Sequence, residues 1–321
     1  MMTKIKTLSP PKRKESTYLM ADYVEMLCLS SYEGEIDIDE ALSRVYHSAE
    51  YQAELEAGIV DDARNDIHSG ELSDSQRANG DDWFRHLEYR QRAFKGYYPF
   101  CVSEDTLTLK YDLSPANTIY VFLLVCTRLG ILQTGANNAT ELFEMISHGV
   151  LSNYLPSFTV HHFGKTPAGR EIYPNKLKEA IPALCCNIHE PLSSRFNPGD
   201  YSEKDTGDGG LDLLAFKFFG DNLSSNMICF AQCACGPERW IKKQYEASKF
   251  KWTSQISFYH PPANYMFTPV CFRQPNGNWF QDKIYESILV DRLRICRNLN
   301  DNDIKKFNCF CKRFKPPPSG G

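Results

Sequence analysis

Two polar side chains interrupt two apolar segments in the C-terminal half of the sequence. Asp212 follows the paired glycines of Gly-Gly-Leu-Asp, and Gln232 is the one polar residue within Ile-Cys-Phe-Ala-Gln-Cys-Ala-Cys. An ionised carboxylate in apolar surroundings is costly unless a cation, a charged partner or water compensates it. Carboxylate and amide oxygens are hard ligands of the type that Mg²⁺ binds. The pair therefore predicts a divalent-cation site if the two segments are neighbouring strands.

The segments around this pair follow the order strand, strand, helix, strand, helix. Apolar runs, turn residues and helical periodicity indicate these elements. They are predicted at residues 211–219, 227–235, 236–250, 267–272 and 282–289. The turn at Asp221-Asn222 makes the first two strands a hairpin, and a helix starting at Asn138 or Thr140 precedes them. The pattern predicts an α/β unit.

This arrangement resembles the PD-(D/E)XK nuclease superfamily, particularly restriction-type members with Gly-Gly-x-Asp on one strand and Gln-x-Lys on the next. The resemblance covers about residues 140–299. It implies a restriction-endonuclease-like α/β (α+β) core with a mixed central sheet flanked by helices. It also implies that Asp212 binds Mg²⁺ or Mn²⁺ with Gln232 as its partner, and that Glu141 or Glu144 from the preceding helix adds a ligand.

The sequence departs from the family pattern at the lysine that positions and activates the attacking water. Ala234 stands two residues after Gln232, where the family has lysine. Some members supply this lysine from the following helix, which here implies Lys242 or Lys243. Lys217 on the first strand is a further option.

Acidic residues near this motif leave two interpretations open. Asp205 and Asp208 precede the paired glycines, and either add to the site or belong to a solvated turn. Glu141 and Glu144 are candidate ligands, but acidic residues near a helix N-terminus are also favoured by the helix dipole alone.

Basic residues are concentrated in the C-terminal half, although the formal net charge of the whole chain is -4. A local cluster of Lys and Arg can bind phosphates despite a negative total. The predicted nucleic-acid contacts are Arg239, Lys242, Lys243 and Lys249.

The remaining pattern indicates four parts of the chain. Residues 1–16 are predicted to be a disordered lead, 17–135 a mainly helical region, 136–314 the nuclease-like domain and 315–321 a tail. Within the helical region, helices are predicted at 17–31, 38–57 and 81–94, a β excursion at 97–110, and a buried helix that Ser114 caps, with Pro115 in its first turn.

The twelve cysteines of the chain favour reduced thiols in a cytosolic protein. No apolar run has the length of a membrane span or the form of a signal peptide, so we expect a cytoplasmic protein without membrane contact. A zinc- or thiol-based enzyme using Cys229, Cys233 and Cys235 is a less favoured alternative, because their spacing lacks the usual C-x2-C pattern.

The sequence therefore predicts a divalent-metal-dependent DNA endonuclease or nuclease subunit of a microbial antiphage defence system. The defence setting comes from the resemblance alone, as does a regulatory protein partner bound by the helical region. The alternative is a catalytically inactive nuclease-fold subunit that binds nucleic acid or scaffolds a defence complex, and Ala234 is its main support.

Overall fold

The computed structural model describes residues 8–11, 16–56, 74–164, 166–202, 204–205, 207–280 and 283–314. The chain forms two compact units. The first comprises Met1–Ala136, Val270–Phe280 and Lys305–Gly321, and the second comprises Asn137–Pro269 and Gln281–Ile304. The first stretch of the first unit ends one residue after the predicted boundary of 135/136. Val270–Phe280 and residues 305–314, which the prediction assigned to the nuclease-like domain, also belong to the first unit. The predicted lead falls largely, and the predicted tail wholly, outside the described residues.

The described part of the first unit is mainly helical, with a small antiparallel sheet. Its helices are α1 (Thr17–Ser30), α2 (Ile38–Tyr46), α3 (Ala49–Glu56), α4 (Asp74–Phe94) and α5 (Pro115–Cys126), and its strands are β1 (Glu35–Asp37), β2 (Phe100–Ser103) and β3 (Thr106–Leu109). Strand β3 pairs with both β1 and β2. The predicted helix at 17–31 and the β excursion at 97–110 are confirmed. The helix predicted at 38–57 is interrupted after Tyr46, and the helix predicted from residue 81 starts earlier, at Asp74.

The start of α5 agrees with its sequence signal. The Ser114 hydroxyl accepts a hydrogen bond from Asn117 N–H at 3.1 Å, and the Asn117 side-chain oxygen accepts one from Ser114 N–H at 3.0 Å. This reciprocal pair satisfies donors that have no partner within the helix, and Pro115 needs none. The predicted start is confirmed.

A buried ionic network joins α4 to α1 within the first unit. The Arg90 side chain is 0% exposed, and its guanidinium donates to Asp22 at 2.7 Å and to Glu25 at 2.8 Å. Tyr98 and Tyr120 donate their hydroxyl hydrogens to Glu25 at 2.9 and 2.8 Å. Because the charges are paired and also hydrogen-bonded, their burial is tolerated in a core of this kind.

The described part of the second unit is a sheet of five strands with helices. Its strands are β4 (Thr159–His162), β5 (Leu213–Lys217), β6 (Met227–Cys233), β7 (Ala263–Phe267) and β8 (Ile288–Val290), in that spatial order. Its helices are α6 (Ala136–Tyr154), α7 (Pro167–Arg170), α8 (Leu177–Ile188), α9 (Arg239–Lys243), α10 (Lys249–Trp252) and α11 (Arg292–Arg297). A twelfth helix, α12 (Asp301–Cys311), spans the last change of unit. Short 3-10 turns occupy Lys95–Tyr97, Leu129–Ile131, Pro198–Asp200 and Lys312–Phe314.

The sheet is mixed, as predicted. Strands β4, β5 and β6 pair antiparallel, whereas β7 pairs parallel with β6 and with β8. The β5–β6 hairpin is therefore confirmed, and so is the mixed α/β class.

Three elements of the second unit differ from the prediction. The helix predicted at 282–289 is wrong: residues 283–287 have no regular structure, and the apolar run Ile288–Val290 is strand β8 paired with β7. The third strand is Ala263–Phe267 rather than 267–272, and the helix predicted at 236–250 is two short helices, α9 and α10. Periodicity alone does not distinguish short buried strands from helix segments.

One face of this sheet is packed by apolar side chains. Leu214 and Phe216 of β5 and Phe230 of β6 lie in a single buried cluster with residues of α8 and with Trp252. Each large side chain of this kind stabilises the fold by about 1.5–3 kcal/mol. This packing fixes the hairpin and so fixes the strand end at which Asp212 lies.

No described helix combines the length and the apolar character needed to cross a bilayer. The twelve cysteines are free thiols.

We expect Arg90→Ala to lower the free energy of unfolding by about 3–5 kcal/mol, because it leaves Asp22 and Glu25 as uncompensated buried charges. Urea denaturation monitored by circular dichroism measures the change. The matched control is Arg92→Ala on the same helix, whose exposed pair with Glu88 at 3.7 Å should contribute less than about 1 kcal/mol. Equal losses in the two variants would contradict the role given to the buried network.

Candidate functional site

Asp212 lies one residue before β5, opposite the end of β6. The strand register pairs Leu213 with Ala231, so Asp212 and Gln232 occupy the next positions of the hairpin. The Asp212 N–H donates to Ala231 O at 3.0 Å, and its carbonyl accepts from Phe163 N–H at 2.8 Å. The backbone of Asp212 is thus held on both sides.

The Asp212 carboxylate accepts a hydrogen bond from the backbone of β6, as a backbone carbonyl of a paired strand would. Its Oδ2 accepts a hydrogen bond from Cys233 N–H at 2.6 Å. The residue is only 5% exposed. A backbone hydrogen bond to a carboxylate stabilises its ionised form. The interaction also fixes the direction of the side chain.

The carboxylate of Asp212 opens on a cavity of about 230 Å³. Helix α6 contributes Glu141 and Glu144 to the lining, and the loop before the paired glycines contributes Asp208. The full lining is Asn137, Thr140, Glu141, Glu144, Phe163, Thr166, Asp208 and Asp212. We call this the carboxylate cavity, because four of its eight lining residues are acidic.

Asp208 is the cavity residue whose role the sequence left open. Its approach depends on Gly164, which has φ +95° and where an added Cβ would lie 2.5 Å from Asp208 Cβ. Asp205, by contrast, caps a turn by accepting from Ser202 N–H at 2.7 Å. The glycine after β4 was a signal that sequence reasoning did not use, because its partner is distant in the chain.

The crowded acids shift one another's pKa values. Burial raises the pKa of Asp212 well above its usual range, and the charges of Glu144 and Asp208 raise it further. Burial, with Asp208 and Glu141, raises the pKa of Glu144 to about 7. Lys243 opposes both shifts. The charge of Lys243 therefore offsets these shifts only in part, and a bound cation would add positive charge.

Of the predicted lysines, Lys243 is the one whose charge acts on these acids. It lies on α9 with its Nζ 3.8 Å from Glu246 Oε2. Lys242 on the same helix is exposed. Lys217 lies five residues beyond Asp212, about 16 Å away along an extended strand. There its ammonium donates to Ser157 at 2.9 Å, so the structure does not bring it to the cavity.

The other two predicted basic contacts lie on the same short helices. Arg239 begins α9 and Lys249 begins α10, and both are exposed. Lys249 lines a separate cavity of about 620 Å³ with Asn264 and Ser287. The structure thus places Lys249 at a cavity other than that of Asp212.

Gln232 is next to Asp212 in the hairpin but does not line the carboxylate cavity. Its side chain is 1% exposed, and its Nε2 donates to Cys233 O at 3.4 Å. Its Oε1 is buried and has no donor among the described residues. A buried acceptor oxygen that receives no hydrogen bond destabilises the fold. A bound cation would remove this cost.

The residues present fit a hard divalent cation in donor type and charge. Glu144, Asp208 and Asp212 line one cavity, whereas the buried oxygen of Gln232, which has no donor among the described residues, lies outside that lining. Oxygen donors of this type favour Mg²⁺ or Mn²⁺. In the described part of the chain, no three His, Cys, Asp or Glu side chains are already arranged as a ligand group. Side-chain adjustment would therefore accompany binding.

The cysteine cluster gives no support to a zinc- or thiol-based enzyme. Burial raises the pKa of Cys229 to about 11 and that of Cys233 well above its usual range. Zinc and electrophiles react with the thiolate, which these values disfavour.

Similarity to known proteins adds no further constraint on this site. No family model, curated protein or solved structure matches the chain. The geometry described above is the basis of the proposals that follow.

The raised pKa of Glu144 predicts that metal-free protein loses stability as pH rises. The folded state keeps its proton up to a pKa of about 7, whereas the unfolded carboxyl ionises near about 4.3. Unfolding free energy should therefore fall between these two pH values, by up to about 3 kcal/mol, and level off above them.

Urea denaturation in EDTA between pH 5 and pH 8 measures this slope, and Glu144→Gln should flatten it. The control is Glu179→Gln, an exposed residue of α8. Parallel curves for wild type and Glu144→Gln would show that Glu144 is not held in its protonated form by the fold.

Proposed function

We propose that the chain is a divalent-metal-dependent nuclease that hydrolyses phosphodiester bonds of DNA at the carboxylate cavity, either alone or as the nuclease subunit of a complex. The observation that carries this proposal is the meeting of Glu144, Asp208 and Asp212 at one strand end, within the electrostatic reach of Lys243. Carboxylates and one ammonium group are the parts that metal-assisted hydrolysis needs from a protein.

In this mechanism Glu144, Asp208 and Asp212 would hold Mg²⁺ or Mn²⁺, whereas Gln232, predicted as a partner ligand, lies outside the cavity lining. The ion lowers the pKa of a water molecule and neutralises charge that develops on the phosphate. Asp212 is kept in place by the Cys233 N–H, so the ligand is positioned before substrate arrives. Lys243 donates to the attacking water or to a phosphate oxygen.

The arrangement of the sheet supports a restriction-endonuclease-like core. A helix precedes an antiparallel hairpin, two short helices follow it, and the next strand is parallel to β6. Strand β4, which comes between α6 and the hairpin, and strand β8, in place of the predicted last helix, depart from the predicted order. The position of α9, which follows the hairpin and carries Lys243, supports the proposal that a helix supplies the lysine that β6 lacks at Ala234.

DNA is the proposed substrate because exposed basic residues lie on the helices that follow the hairpin. Arg239 and Lys242 on α9 and Lys249 on α10 are exposed and can contact phosphates. Such contacts lose strength as salt rises. The defence setting and the protein partner remain predictions from the resemblance.

A second candidate function is a nuclease-fold subunit that binds DNA without cutting it. Ala234 favours this candidate, because its side chain is buried and leaves no lysine at that point of β6. The described residues also hold no ready-made metal-ligand group. This candidate requires binding that does not depend on metal.

Purified protein should nick supercoiled DNA with Mg²⁺ or Mn²⁺ and lose this activity in EDTA. Asp212→Asn should reduce the cleavage rate at least about 100-fold, because it removes a charged ligand at the most constrained position of the cavity. Gel electrophoresis of plasmid and linear DNA over time gives the rates.

The control for this variant is Asp221→Asn, an exposed residue in the hairpin turn whose side chain accepts from Leu223 N–H. It should cut at the wild-type rate. Cleavage that survives Asp212→Asn would exclude this cavity as the catalytic site. Salt-sensitive DNA binding with no cleavage under any metal would favour the second candidate instead.

Lys243→Met should reduce the rate of cleavage about 10- to 100-fold at saturating DNA, since Lys243 is the ammonium group that acts on Glu144 and Asp212. Lys242→Met should cost less and act mainly through a raised KM, because Lys242 is exposed and contacts only the DNA backbone in the proposed complex. Single-turnover rates at several DNA concentrations separate the two effects. The reverse ranking would give the catalytic role to Lys242.

A further inference from the structure

We infer that Lys243 and Lys251 form a phosphate-binding subsite beside the carboxylate cavity, and that Glu246 occupies this subsite until a phosphate group displaces it. The choice of DNA as the source of the phosphate rests on the proposed function. The subsite itself depends on contacts of the paired-glycine loop that the nuclease proposal does not use.

The first observation is the close approach of two charged side chains to Gly210. A Cβ at this position would lie 2.6 Å from Glu246 Cβ, 2.7 Å from Lys251 Nζ and 3.0 Å from Glu246 Oε2. Both charged groups therefore lie against the backbone of a residue two positions before Asp212. Gly210 has φ +82°, so glycine is favoured there for its conformation as well as for the space it leaves.

The second observation is that Glu246 lies next to Lys243 as well. Its Oε2 is 3.8 Å from Lys243 Nζ, and the two side chains are 37% and 34% exposed. Glu246 is thus near both Lys243 and Lys251, and an anion that replaces its carboxylate would meet the same two lysines. A half-exposed ion pair at this distance is weak, so an incoming phosphate can replace the carboxylate at little cost.

The segment that carries these residues is anchored to the loop. Trp252 Nε1 donates to Glu246 O at 3.0 Å, and a Cβ on Gly209 would lie 3.4 Å from the Trp252 ring. Trp252 is itself buried in the apolar cluster under β5 and β6. The positions of Lys251 and Glu246 beside Gly210 are therefore set by the core and not by the side chains alone.

The acidic lining of the carboxylate cavity explains why DNA binding would need a positively charged subsite. Four acidic residues line the carboxylate cavity, and DNA phosphates are repelled by that charge. The ammonium groups of Lys243 on α9 and Lys251 on α10 would offset this repulsion and hold the phosphate beside the cavity. Without substrate, the Glu246 carboxylate is the anion near these lysines.

The test measures binding without catalysis. Fluorescence anisotropy of a labelled DNA duplex in EDTA gives the affinity for DNA, and ³¹P line broadening gives binding of inorganic phosphate. Glu246→Gln should bind both ligands about 3- to 10-fold more tightly, because the competing carboxylate is removed. Lys251→Ala should bind both about 3- to 10-fold more weakly. In the double variant, the gain from Glu246→Gln should be largely lost.

Controls of equal charge separate this subsite from general electrostatics. Glu179→Gln removes one exposed negative charge on α8, and Lys217→Ala removes one exposed positive charge at the far end of β5. Both should bind phosphate within twofold of wild type. A gain in Glu179→Gln equal to that in Glu246→Gln, or a loss in Lys217→Ala equal to that in Lys251→Ala, would overturn the proposal.

Glycine substitutions provide a test that changes no charge. Gly210→Ala introduces a Cβ against Glu246 and Lys251 and should weaken phosphate binding, whereas Gly220→Ala has a similar φ of +89° with nothing within 4 Å and should not. Circular dichroism confirms that both variants fold. Equal binding by the two variants overturns the role of the close approach.

Failure of this inference and failure of the proposed function give different results. The same variants are assayed for cleavage with Mg²⁺. Metal-dependent cutting with no change of binding in the Glu246 and Lys251 variants leaves the nuclease and removes the subsite. Binding that follows the predicted pattern without any cutting supports the subsite and removes the nuclease.

Discussion

The hydrogen bond from Cys233 N–H to the Asp212 carboxylate is the constraint on which the rest of the site depends. It holds a nearly buried carboxyl group at the end of a hairpin, in a cavity that Glu144 and Asp208 also line. Burial, and then repulsion among these acids, raises the pKa values of Asp212 and Glu144. A purely structural role would be better served by an apolar or singly paired residue. The retained repulsion is the physical argument for cation binding.

Two glycines allow charged side chains to lie close to the backbone near that hydrogen bond. Gly164 lets Asp208 reach the cavity, and Gly210 lets Glu246 and Lys251 lie beside the loop. Both positions combine positive φ with a lack of space for a side chain, so two independent constraints select glycine. The acidic groups thus come from α6 and from the segment that holds Asp208 and Asp212, and the lysines come from α9 and α10. This arrangement connects the proposed cation site to the proposed phosphate subsite.

Position 234, two residues after Gln232, is not a lysine, so positive charge near the carboxylate cavity has to come from another element. With Ala234 buried, the positive charge for the cavity comes from α9, which begins after Gly236-Pro237 and carries Lys243. A lysine on a short helix has more conformational freedom than one on a central strand, so its contribution depends on how firmly the helix is held. Trp240 is fully buried and Trp252 nearly so, and they anchor this stretch of chain. The same anchoring would serve either the proposed catalysis or the proposed phosphate binding.

The sequence by itself determined the hairpin, the neighbouring positions of Asp212 and Gln232, and the cap of α5, because each depends on residues close together in the chain. Apolar alternation and turn residues were sufficient for these features. Tertiary structure alone decided that Glu144 and Asp208 share the cavity with Asp212, that Gln232 does not line it, and that Ile288–Val290 is a strand and not a helix. Those outcomes depend on contacts between distant segments, and local pattern carries no information about which segments meet.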